Sequence, residues 1–353
     1  MRMGKIRKNQ NTRQKKIIAK KLPAWTAMML SLLMCSTLLT ACGQGAGTAE
    51  NKQAESVSIR IGSLKGPTTL GLLNLMDRAQ KGETYDSYEF HMATGADELL
   101  PLMVQGDLDI ALVPANVAAV LYQRTQGQVM AVDINTLGVL YVVTGSSEIT
   151  SVADLEGKTI YLTGMGTTPE ASLRYVLKQN GLSESDYTLE FKSEATEVAA
   201  VLAEDPAGIG LLPQPFVTAA LLQNSSLQVA LDLNEEWNKV QGEGGSSMVT
   251  GVTLVRRSFL EEYPQAVERF LEEHAASAEA INADPDTGAA LAVQAQIVAN
   301  EPIAKQAIPN CNIVCITGQE MKTALSGYLE VLADFEPAMI GGQVPGDDFY
   351  YGE

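Results

Sequence analysis

The chain has 353 residues, nearly half of them hydrophobic, with 42 acidic against 25 basic residues and a net charge of −17. That length exceeds what one hydrophobic core usually organises, so two domains are expected, and the apolar content excludes a disordered or fibrous chain. The acidic surplus excludes nucleic-acid binding through phosphates and favours a soluble monomer.

The charge is unevenly placed. Residues 1–41 hold nine Lys or Arg, from Arg2 to Lys21, and no acid. Without them, sixteen basic residues face 42 acidic ones, a net charge of −26. A basic segment ending at Lys21, an uncharged apolar stretch from Leu22 and small residues closing at Ala41 form an export signal. An uncleaved transmembrane anchor is the alternative, since about 20 apolar residues can span a bilayer. Residues 42–56 are small and polar with no apolar period, a flexible tether, so folded structure is expected from about Val57.

From there strands and helices alternate. VSIRIG reads as a strand, TTLGLLNLMDRAQ as an amphipathic helix, YEFHMAT as a strand and ADELLPLMVQG as a helix. LDIALV is a short buried strand, ANVAAVLYQR a helix and VMAVDI a strand. The same series then recurs as KTIYL, PEASLRYVLKQNG, TLEFKS, ATEVAAVLAED, GIGLL, PFVTAALLQ and LQVALDL. An ungapped offset of 99 residues lays Thr68 on Thr167, Thr69 on Thr168, Pro114 on Pro213 and Asp133 on Asp232. Between residues 57 and 135, 14 of 79 positions are identical to their partners, so the molecule is built twice.

Each β-α-β-α-β-α-β copy predicts a mostly parallel sheet flanked by helices, with binding at the carboxyl ends of its strands. LGVLYVVTG (137–145) is expected to leave the first lobe and MVTGVTLVRRSF (248–259) to return to it. Lobe 1 is therefore 57–143 with 248–353, lobe 2 is 144–247, and two crossing strands make a hinge that permits closure on a ligand. The tail reads as three helical stretches, 260–282, 287–301 and 318–335, added to lobe 1.

The symmetric loops supply the candidate site. Thr167 is the expected N-cap of a helix with Pro169 in its first turn and Glu170 completing a capping box, while Gly164 and Gly166 let the backbone turn. Lys65, Gly66, Pro67, Thr68 and Thr69 form the matching loop, and helix starts with Thr hydroxyls suit an anionic or oxygen-rich group, Thr168 included. Thr94, ending the second strand, and Asn116 and Gln214 in the third loops point at the same cleft edge. The bland reading is that these turns only cap helices and that Lys65 is a solvated charge.

Outside that cleft the signals are weak. Trp237 could stack a ring, but surface packing is expected. His91 reads as a packed or hydrogen-bonded strand residue and His274 as a residue on a helix surface. Cys311 and Cys315 read as free thiols near a turn, with a local disulfide as the alternative. A metal site is not expected, because neither histidine sits at ligand spacing from them. No catalytic constellation and no cofactor motif appears; the G-x-G of GMGTT lacks the third glycine of a dinucleotide loop.

Several of these segments together carry a resemblance. Leu39-Thr40-Ala41-Cys42-Gly43 resembles the bacterial lipobox, which implies cleavage before Cys42 and diacylation of its thiol; Cys35 would leave with the signal. With it, the KGPT loop, GDLDIALVPANVAA, EGKTIYLTGMGTTPEASLRYVL and FLEEYPQAVERFLEE resemble the substrate-binding lipoproteins of ABC importers. The branch is the nitrate/sulfonate/taurine type, with the α/β type II periplasmic-binding-protein fold. The resemblance implies a two-lobed, lipid-anchored extracytoplasmic receptor that delivers a small solute to a membrane permease. The alternatives are a lyase or pyrimidine-synthesis enzyme on the same scaffold, or a surface signalling lipoprotein.

Overall fold

The computed structural model describes residues 56–352. The expected signal segment 1–41, the expected lipidation residue Cys42 and the expected tether up to residue 55 lie outside the described residues.

The first copy runs β1 (Ser58–Leu64), α1 (Pro67–Leu70), α2 (Leu73–Lys81), β2 (Ser87–Ala93), α3 (Ala96–Gln105), β3 (Ile110–Pro114), α4 (Ala115–Thr125) and β4 (Val129–Leu137). After β5 (Leu140–Thr144) the second runs β6 (Thr159–Leu162), α5 (Thr168–Gln179), β7 (Thr188–Phe191), α6 (Ala195–Glu204), β8 (Ile209–Pro213), α7 (Phe216–Gln223) and β9 (Gln228–Asp232). The rest is α8 (Leu233–Gln241), β10 (Val249–Arg256), α9 (Arg257–Glu262), α10 (Pro264–Ala283), α11 (Pro285–Gln294), α12 (Glu301–Ala307), β11 (Ile313–Ile316) and α13 (Gly318–Phe335). The all-apolar runs of β3 and β8 are buried on both faces, as central strands require, whereas β2 and β7 alternate at the sheet edges.

One sheet has the order β11-β4-β10-β3-β1-β2 and the other β7-β6-β8-β5-β9. In each, a strand of the opposite direction is inserted at the same place, β10 between β3 and β4 and β5 between β8 and β9. The repeat is kept in the register itself. Ile61 lies beside Ile110 and Phe90, and their partners 99 residues on repeat this, Ile160 beside Ile209 and Leu189.

Three expectations need correction. The segment 137–145 is not one strand: Leu137 ends β4 in the first sheet and Leu140 begins β5 in the second, so the chain changes sheets at Gly138–Val139, before the boundary expected after residue 143. A Cβ on Gly138 would lie 2.4 Å from Asn234 Oδ1, so a glycine there lets α8 pack against the crossing. The first helix is also broken, into α1 and α2, where Gly71 packs against Ile313 and His274.

The tail, finally, does not belong to one lobe. Pro264 splits its first stretch at Tyr263, whose backbone (φ −130°, ψ 55°) is non-helical as a residue before proline tends to be. α12 packs on α7 of the second copy, and α13 contacts β4 and α4 on one side and α5 on the other. One apolar cluster accordingly runs through both sheets, from Val113 and Leu254 in the first to Val142 and Ile160 in the second, with Leu325, Tyr328 and Leu329 of α13 between. The lobes meet there, and the cleft lies on the loop side.

Candidate functional site

At the carboxyl ends of β1, β3, β6 and β8, loops from both sheets line a cavity of about 580 Å³. That size suits a small molecule. Nine expected residues line it: Lys65, Gly66, Pro67, Thr68, Thr94, Gly164, Gly166, Thr167 and Thr168.

The two main loops are alike in place but not in detail. In the first copy the helix begins two residues earlier relative to the repeat, with Gly66 as N-cap at φ 156°, ψ −154°, a conformation only glycine adopts easily. Thr68 Oγ1 donates to Leu64 O (3.3 Å), and Thr69 Oγ1 donates to the same carbonyl. α1 is four residues long and contributes little dipole. In the second copy Thr167 is the N-cap of the twelve-residue α5, the stronger positive end. Its hydroxyl donates back to Gly164 O (2.7 Å), and Glu170 accepts from Gly166 N (2.6 Å) instead of closing a capping box on Thr167. A Cβ at Gly164, whose φ is 79°, would strike Thr167 Oγ1, so the turn requires glycine.

Three expected residues do not line the cavity. Thr69 is fully buried against Ser63 (2.8 Å). Gln214 accepts from the amide and hydroxyl of Thr218 (3.3 and 2.9 Å), capping α7. Asn116 is fully buried and satisfied: its amide donates to Gly166 O and Met339 O (both 3.0 Å), and its oxygen accepts from Thr168 Oγ1 (3.2 Å). It fastens the second-copy loop to α4 of the first and has no group left for a ligand.

The cavity also gains residues the sequence reading passed over. Lys192, Ser193, Glu194 and Thr196 follow β7, the second-copy counterpart of the loop after β2; applying the 99-residue offset to Thr94 would have found Ser193. Arg124 and Asp97 reach the wall from α4 and α3. Lys65 and Arg124 form no ion pair with a described residue, whereas Lys192 is tied to Glu190 (2.6 Å). Thr94 Oγ1 donates to Glu98 (2.8 Å) at the start of α3.

Elsewhere, the histidines and the tryptophan depart from expectation. His91 is exposed on the edge strand β2. His274 is fully buried under the first sheet, with Nδ1 3.1 Å from Asp133 Oδ2, because α10 packs this face inward. Trp237 is a core residue: it packs at a tilt against Tyr175 and Tyr328, and Nε1 donates to Ser246 O (2.7 Å). Cys311 and Cys315 are free thiols. Folding nevertheless brings Cys315 beside His274 and Asp133, a potential metal-ligand group that no local spacing announces. Among the described residues, no helix is long and apolar enough to cross a membrane.

Residues 76–232 match the family model described as "ABC transporter, phosphonate, periplasmic substrate-binding protein". That region, less than half of the chain, is similar to the substrate-binding proteins of ABC transporters. Solved structures share its periplasmic-binding-protein fold. An ABC transporter from Parabacteroides distasonis is 22% identical over 84% of this chain and 99% of its own, with a TM-score of 0.69. The alkanesulfonate-binding protein SsuA from Xanthomonas axonopodis pv. citri, bound to MOPS, is 17% identical over 83% and 96%, with a TM-score of 0.64. The aliphatic sulphonate binding protein SsuA from Escherichia coli is 15% identical over 83% and 90%, with a TM-score of 0.66. No curated protein matches in sequence. The fold thus follows the resemblance, and the similarity now extends to a phosphonate-type family model beside the sulfonate-type structures.

Proposed function

We propose that this chain is the lipid-anchored, extracytoplasmic receptor of an ABC importer, which closes its two lobes on a small anionic or oxygen-rich solute and delivers it to the permease. The observation that carries this reading is one cavity of about 580 Å³ lined by Thr68 from the first copy and Thr167 from the second. A solute there would meet the start of α5, two threonine hydroxyl oxygens and the cations Lys65 and Arg124. The relatives' names add phosphonates and sulfonates to the candidate solutes. Local dipoles and cations act within a few ångströms, so they outweigh the acidic surface once the lobes exclude water. Cys42 holds the receptor at the membrane through its acyl chains.

The test is thermal-shift screening of the protein against alkylphosphonates, alkanesulfonates, nitrate, carboxylates and pyrimidines. At least one raises Tm, and the combined variant Thr68→Val with Thr167→Val loses the rise while keeping its own melting transition. Undiminished binding by that variant would remove these loops from the site.

A further inference from the structure

Beneath the first-copy loop, away from the cavity, β4, β10, β11 and α10 enclose a polar cluster that solute binding does not use. Asp133 on β4 and His274 on α10 are fully buried, and one ligand atom each from Asp133, His274 and Cys315 on β11 lie within 4.8 Å of one another. Asp133 Oδ1 accepts from Thr253 Oγ1 (2.8 Å), while Oδ2 faces His274 Nδ1. His274 Nε2 is buried with no hydrogen-bond partner, a condition that folded proteins rarely leave in place.

We propose that Asp133, His274 and Cys315 bind a divalent transition-metal ion of the zinc class. Carboxylate, imidazole and thiolate are the donor set such an ion prefers, and three of them leave a fourth position for water. Cys315 is partly exposed, which opens that side to solvent. Ligand atoms around tetrahedral zinc stand roughly 3.4–3.6 Å apart, so the widest pair in the cluster needs to close by at most about 1.4 Å. Charge points the same way. A carboxylate, a thiolate and a neutral imidazole cancel a double positive charge, and only a neutral cluster is buried cheaply. On metal binding the Sγ–H proton leaves to solvent and the sulfur lone pair forms the bond to the ion. A nucleophilic Cys–His–Asp relay would instead put the thiol across the imidazole from the carboxylate. Here thiol and carboxylate converge.

The experiment uses the full chain, stripped by chelator and titrated with Co²⁺ as a spectroscopic probe and with Zn²⁺ in competition. The expected result is one ion per chain with thiolate-to-cobalt charge-transfer absorption, kept in Cys311→Ser and lost in Cys315→Ser. Asp133→Asn weakens Zn²⁺ by at least roughly 10–100-fold, the range already seen for outer-shell partners. Because variants of buried residues can misfold, a second readout uses the parent chain alone: Zn²⁺ slows alkylation of Cys315, followed by peptide mass spectrometry. A cobalt spectrum without thiolate absorption, or Cys315 alkylated at the same rate with and without Zn²⁺, overturns the site.

Discussion

Asn116 shows how a polar residue near a cleft can serve the frame and not the guest. Its side chain satisfies two carbonyls and a hydroxyl at full burial, joining α4, the Gly166 turn and the segment at Met339. Asn116→Ala leaves those groups unpaired and is expected to cost about 2–3 kcal/mol in urea unfolding. Trp237 plays the same part among aromatic rings. Trp237→Ala is expected to cost about 3–5 kcal/mol, and Trp237→Phe much less, since only the bond to Ser246 O and part of the ring are lost. Asn116 read as a site residue and Trp237 as a surface one because composition reveals polarity or ring size but not which way a side chain faces.

At the scale of elements, Asp109 staples neighbouring strands. Entering β3, it accepts from Arg60 of β1 and Arg256 of β10, each at 2.7 Å. Burial pushes its carboxyl up, but the hydrogen bonds from Arg60 and then Arg256 outweigh this and hold it below the usual carboxylate range. Asp154, in the turn after β5, is held down to about 2, first by the amide of Thr150 and then by Ser151. A depressed folded pKa gives stability that is complete above the unfolded value of about 4 and lost as pH falls through the folded one. The urea midpoint should therefore drop below about pH 4, and Asp109→Asn should flatten that drop. At neutral pH the same variant is expected to cost about 2 kcal/mol, since bonds to a charged acceptor become neutral ones. An unchanged acid slope in Asp109→Asn would assign the pH response to other carboxylates.

Across the whole molecule, α13 ties the lobes on the side away from the cavity. Tyr328 shares a buried hydrogen bond with Ser172 (2.9 Å), Phe335 packs edge-on against Tyr175, and Glu336 pairs with Arg174 (2.8 Å). The last pair is partly exposed, so a double-mutant cycle of Arg174→Ala and Glu336→Ala is expected to give a coupling of at most about 1 kcal/mol. Zero coupling would mean the strap holds by its apolar packing and the Tyr328–Ser172 hydrogen bond without help from this ion pair.

The doubled β/α order and the paired loops were legible in sequence because a 99-residue repeat and hydrophobic period are local properties of the chain. The structure repeats its strand register at the same offset, with Ile61 beside Ile110 and Ile160 beside Ile209. Invisible were the residues whose role depends on a distant partner: His274 lies 141 positions from Asp133, and Tyr328 of α13 meets Ser172 of α5 across 156 positions. Periodicity tells a residue to face inward. Only tertiary packing decides what waits for it there, since burial brings together groups that the chain keeps far apart.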